Sequence, residues 1–162
     1  MTGRGEVARL KGRLDAAFSR APSSSSDIEL QADFAKYLCI LVSGFLENSI
    51  VALILDYVQR RSALEVTAFV EAQLDYWTNP NTDKICSLLG SFSTDWRKQS
   101  EGFLVDERKA AVNSLVALRH KIAHGDSVGT SMSQVKQYYS TAQKVIGFVT
   151  ELVEIPQTSS TN

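Results

Sequence analysis

The sequence has little of what several large classes of protein require. It holds two cysteines, Cys39 and Cys86, and three prolines in 162 residues. Both cysteines lie in apolar helical contexts, so they suggest buried free thiols and no disulfide framework. Charge of one sign is not in excess: 17 Lys+Arg against 18 Asp+Glu leave a net charge of -1. That argues against a protein that coats nucleic acid through bulk charge, and leaves a local anion site open. No strand pattern of any length appears, and no internal repeat. Phosphate loops, dinucleotide fingerprints and nucleophile elbows are missing, so no cofactor is implied. The first twenty residues are polar and charged with no apolar core, so no signal peptide is read and a cytoplasmic protein is expected. The longest apolar run, Tyr37 to Val58, approaches membrane-spanning length. Ser43, Gly44, Glu47, Asn48 and Asp56 interrupt it, so a buried core helix is expected and no membrane span.

What is present is helix. The length fits one domain able to bury a real core. Residues 6–20 carry Val7, Leu10, Leu14, Ala17 and Phe18 at helical spacing, and Pro22 and Ser23 to Ser26 break that helix. Asp27 can cap the next one, about 28–60, which is apolar nearly all round and therefore central. One row on it runs Ile40, Gly44, Glu47, Val51, Ile54, Val58, and Gly44 there predicts close approach of another chain segment. Ser62 to Glu65 has the pattern of a capping box and opens a helix with Val66, Phe69, Val70 and Leu74 on one face. Thr78 to Asp83 is a turn cluster. A short helix through Ile85, Leu88 and Leu89 is expected to end at Gly90, with another short piece from Ser93. Asp106 is expected to cap a helix of about 107–124. Ser131 and Gln134 form a second capping box, before a last helix of about 132–154. The architecture is all-α: four main helices plus short ones. The chain divides into an N-terminal helix and Ser-rich loop (1–26), a helical domain (27–155) and a disordered tail (156–162).

Within the helix of about 107–124 one stretch stands apart. It carries both histidines, His120 and His124, with Arg119 ahead of them and Gly125-Asp126 behind. Val112, Leu115, Val116, Ile122 and Ala123 define an apolar stripe, and Arg119 falls inside it. An arginine keeps its charge and is rarely buried without a partner, so either its head snorkels out or the stripe ends at a groove or interface that holds an anion. Asn113, His120 and His124 line up on a second face. Gly125 has the position of a helix C′ residue. His124 then faces the negative pole of the helix dipole, and imidazole is the side chain that titrates nearest neutral pH, so it is the natural acid/base candidate.

The spacing Arg119-x4-His124, followed by Gly125-Asp126, resembles the signature of HEPN domains. The run from Tyr37 to Glu47, Leu88-Leu89-Gly90-Ser91-Phe92, and Lys121-Ile122-Ala123-His124-Gly125 extend the likeness to the RiboL-PSP-type branch, over about residues 28–153. The resemblance implies an HEPN-like helical bundle and a metal-independent endoribonuclease working as a homodimer. It also implies a setting in toxin or anti-phage defence, with a regulatory or antitoxin protein as a partner.

The chemistry asked of such a site is modest. RNA carries its own nucleophile, the 2′-hydroxyl. Cleavage needs a base for that proton, an acid for the leaving 5′-oxygen, and a cation on the phosphate. His124 suits the first tasks and Arg119 the last, since its fork matches phosphate oxygens. His120, Glu47 and Asn48 are supporting candidates. Five residues at about 100° each set Arg119 and His124 roughly 140° apart around one helix. A two-fold dimer brings the same patch twice and lets them meet across a cleft. Other readings stand beside this one. Arg119 can be a structural partner of Glu47, and the histidines can be surface groups. His120-x3-His124 has zinc spacing, but Lys121 stands where a metalloprotease helix carries its glutamate, and no third ligand lies near. The whole chain can also be a non-catalytic module of the same fold that dimerises or binds a partner protein.

Overall fold

A computed structural model describes residues 2–154. The expected C-terminal tail and residue 155 lie outside the described residues. Among those described there are seven α-helices and no strand. Four are long: α1 (Gly3–Ser19), α2 (Ile28–Gln59), α6 (Asp106–Ala123) and α7 (Met132–Glu154). Three are short: α3 (Leu64–Leu74), α4 (Thr82–Phe92) and α5 (Thr94–Phe103). This is the all-α bundle of four main helices plus short ones that the periodicity predicts.

The central helix is α2, and α1, α3, α6 and α7 all pack against it. Its residues Leu38, Val42, Leu46, Ile50, Leu53 and Ile54 are almost wholly enclosed. By length and composition alone α2 could cross a membrane; here its apolar surface meets other helices, which is why it is apolar nearly all round. Leu14 and Ala17 bring α1 into the same core, and α7 contributes Val135, Tyr138, Tyr139, Val145 and Val149. The ring of Tyr139 stacks on Phe18 at 5.0 Å, and its hydroxyl donates to Asp15 at 2.5 Å. Burial first, and then the Asp15 carboxylate, hold the Tyr139 hydroxyl well above its ordinary range. The thiols of Cys39 and Cys86 are buried and unpaired by disulfide, and burial pushes Cys39 up to about 11.

Several ends follow the expected local chemistry. Asp27 Oδ1 accepts from the Glu29 amide at 2.8 Å and caps α2. Ser131 Oγ accepts from the Gln134 amide at 3.1 Å, although the Gln134 side chain turns to Thr130 and Tyr138 instead of closing the box. Others depart from it. Ser62 does not cap α3: the N-cap is Ala63, with no side-chain bond. The Ser62 hydroxyl donates backward to Val58 O at 2.8 Å, a carbonyl at the end of α2 that also receives the Arg61 and Ser62 amides. Asp106 does not cap α6 either. It is the first helical residue, with a left-handed φ of 51°, whereas a capping residue is extended. Helix α4 runs through Gly90 to Phe92, and the Arg97 guanidinium occupies the space where a Cβ of residue 90 would project. Gly44 is not a point of close approach: a Cβ there would meet only Asn48 Nδ2, at 3.9 Å. The close approach is at Gly3, where a Cβ would lie 3.0 Å from Ala52 O and Asp56 Cβ on α2.

Candidate active site

The apolar stripe of α6 does end as its sequence suggests. Val112, Leu115 and Val116 are buried. One turn later Leu118, Arg119 and Ile122 are only half-buried, and His120, Ala123 and His124 are exposed. Arg119 therefore stands where the core gives way to solvent.

The helix stops by a defined device. His124 is the C-cap, with φ -87° and ψ 4°, and its amide donates to His120 O at 3.1 Å. Gly125 follows with φ +76°. Its amide donates to Ile122 O at 3.1 Å, and the Asp126 amide reaches back to Lys121 O at 3.0 Å. These two crossing bonds are a Schellman motif, and the left-handed residue it requires is the glycine. The cap places His124 one position beyond the helix. The rings of His120 and His124 lie 4.3 Å apart, centroid to centroid, with planes inclined by 60°. Both imidazoles are exposed, and they form one small patch beside Arg119 in the chain.

Arg119 has a partner, but it is not Glu47. Arg119 Nη1 donates to Asn79 Oδ1 at 3.1 Å. The backbone amide of Asn79 in turn donates to Glu47 Oε2 at 3.0 Å. Among the described residues no direct ion pair joins Glu47 and Arg119; the link between them runs through Asn79. That residue lies in the connection from α3 to α4 and carries a left-handed φ of 53°. The same connection is fixed at a second point. Asn113 Oδ1, on α6, accepts from the Thr82 amide at 2.9 Å. Asn113 thus ties α6 to the first residue of α4, where the connection ends. Pro80 is buried, and Asn81 caps α4 by accepting from the Lys84 amide at 2.9 Å.

Of the supporting candidates, Glu47 reaches the motif indirectly and His120 adjoins His124. Asn48 is exposed and lines a groove between α1 and α2 with Leu10, Arg13, Ile40 and Gly44. Nothing in that groove belongs to the Arg119–Asn79 contact. Among the described residues no group of three or more His, Cys, Asp or Glu side chains is placed to hold a metal ion. The residue that sequence reasoning missed is Asn79. The available signal was an asparagine, tolerant of left-handed backbone, inside a turn cluster. That signal gives the turn and not the partner.

The sequence of this chain matches the family model described as RiboL-PSP-HEPN over residues 9–154. The chain belongs to that HEPN family. The match takes in α1 from residue 9 and all of α2 to α7, so it covers every element that carries Arg119, Asn79, Glu47 and both histidines. No curated protein matches, and no solved structure matches. The family is one associated with nuclease activity, and it agrees with the all-α architecture.

Proposed function

We propose that this HEPN protein is a metal-independent endoribonuclease that acts as a homodimer. The observation that supports it most is that one end of α6 carries both an arginine held by Asn79 and two exposed histidines whose rings lie 4.3 Å apart. In this reading a 2′-hydroxyl attacks the adjacent phosphorus and the bond to the 5′-oxygen breaks. One histidine takes the 2′ proton and another supplies the proton to the leaving oxygen. Arg119 carries the phosphate as its charge builds. His124 is the leading acid/base group and His120 its assistant; Glu47 supports Arg119 at one remove, and Asn48 is a more distant candidate. The dimer follows from spacing: five residues at about 100° each set Arg119 and His124 roughly 140° apart around one helix, and a two-fold partner offers each its complement. Toxin or anti-phage defence in the cytoplasm, restrained by a separate antitoxin-like protein, is the setting that the family resemblance suggests.

A second reading has its own observation. Helix α3 leaves Leu64 85%, Phe69 65% and the following Tyr76 87% exposed, which suits a non-catalytic module that docks a partner. The discriminating experiment is cleavage of labelled single-stranded RNA and a tRNA pool in EDTA. Wild type, Arg119→Ala and His124→Ala are compared, each checked for fold and oligomeric state. Wild type is expected to cut, leaving 2′,3′-cyclic phosphate ends. Each variant is expected to lose at least about 100-fold in rate, the scale of a lost acid/base or charge-stabilising group. No cutting by wild type favours the docking module, and equal cutting by all three makes Arg119 and His124 structural and overturns the proposed site.

A further inference from the structure

We infer that Asn79 is a positioning residue: it orients the Arg119 guanidinium, and Glu47 acts on Arg119 only through it. The inference rests on the nuclease reading for its catalytic consequence and on geometry for the contact itself. Asn79 Oδ1 receives Arg119 Nη1 at 3.1 Å, and the Asn79 amide is received by Glu47 Oε2 at 3.0 Å. Three elements distant in sequence thus meet in one chain of hydrogen bonds: α2, the connection from α3 to α4, and α6.

Two features argue that this is more than a loop anchor. The first is the backbone. Asn79 holds φ 53° immediately before Pro80, and a residue before proline is pushed away from helical conformations towards extended ones. Such a conformation persists where its surroundings hold it. Here the Glu47 carboxylate, the buried Pro80 ring and the Asn113 clamp on Thr82 do so. The second is charge. A carboxylate placed directly on Arg119 would neutralise it and compete with phosphate. An amide oxygen fixes the guanidinium while leaving its positive charge and its other N–H donors for an anion. Glu47 is close enough to anchor Asn79, and the neutral side chain of Asn79 is what stands against the arginine. The arrangement selects a neutral acceptor at position 79 and a carboxylate at position 47.

The variants separate these parts. Asn79→Gly keeps the left-handed backbone and the amide donor to Glu47, and deletes only the contact to Arg119. Asn79→Asp keeps the contact and adds a negative charge. The contact is read first by NMR. The Arg119 side-chain N–H resonances, assigned with Arg119→Lys, are expected to be resolved and slowed in the wild-type protein. They are expected to average in Asn79→Gly, whose fold and oligomeric state stay unchanged. On single-stranded RNA, Asn79→Gly is expected to lower kcat about tenfold with KM within about twofold, as a lost hydrogen bond to a charged group implies. Asn79→Asp is expected instead to raise KM about tenfold with a smaller change in kcat, because the new carboxylate competes for the guanidinium. Arg119 resonances and kinetics in Asn79→Gly that equal those of wild type overturn the inference. So does the same KM and kcat response to both variants, which a merely structural loop would give. If wild type cuts no RNA, the nuclease reading falls, and the NMR comparison alone decides whether Asn79 holds Arg119.

Discussion

At the scale of the residue, the end of α6 depends on Gly125. Its φ of +76° lets the Gly125 and Asp126 amides satisfy Ile122 and Lys121, and the turn fixes where the His124 imidazole leaves the chain. A side chain at position 125 meets no neighbour within 4 Å, so any cost of substitution comes from backbone conformation and not from crowding. Gly125→Ala is expected to destabilise the fold by about 1–2 kcal/mol, read as a lower urea midpoint with an unchanged slope. It should also slow cleavage more than the stability loss explains, since the histidine is re-aimed. A residue-scale reading of the sequence reaches this feature because every bond in it is local. Asn79 lies beyond such a reading. Its partners are 32 and 40 positions away, and spacing along a chain does not report which loop folds against which helix. Glu47 illustrates the same limit: its place in an apolar row of α2 is legible, while the partner that receives its influence is not.

At the scale of the element, the helices themselves were legible, because hydrophobic period and length decide them. The bounds of α2 and α7 fall within a residue of expectation. What failed was choice between competing local partners. Ser62 has the sequence of a cap for α3, yet the end of α2 offers its hydroxyl the Val58 carbonyl four residues back. Two helix ends met, and one hydroxyl served the first. The glycines show a similar competition. Gly44 lies on the most hydrophobic helix but faces open space, and the crowded crossing of α1 on α2 falls at Gly3. The two positions should therefore respond oppositely. Gly44→Ala is expected to stabilise by up to about 1 kcal/mol through helix propensity. Gly3→Ala is expected to destabilise by about 1–3 kcal/mol, because α1 must shift from the α2 backbone. Denaturant midpoints of the two variants test the pair, and a shift of the same sign in both contradicts the packing described for α1.

At the scale of the whole molecule, one core built around α2 fixes the relative placement of three elements that share no sequence neighbourhood. Helix α6 supplies Arg119 and the histidines, α2 supplies Glu47, and the connection before α4 supplies Asn79. The near-zero net charge gives no broad attraction for a polyanion, so recognition of RNA in this account relies on the local arginine and on a cleft. A two-fold dimer would create such a cleft, and the proposed nuclease site depends on it. The measurement that tests it most directly is complementation between Arg119→Ala and His124→Ala subunits. The two inactive proteins are mixed in equal amounts, allowed to exchange subunits, and assayed on single-stranded RNA in EDTA. A site that takes Arg119 from one subunit and His124 from the other is intact once in every mixed dimer. Random exchange then restores about a quarter of wild-type activity. A mixture no more active than its parents, with exchange verified, contradicts the shared site.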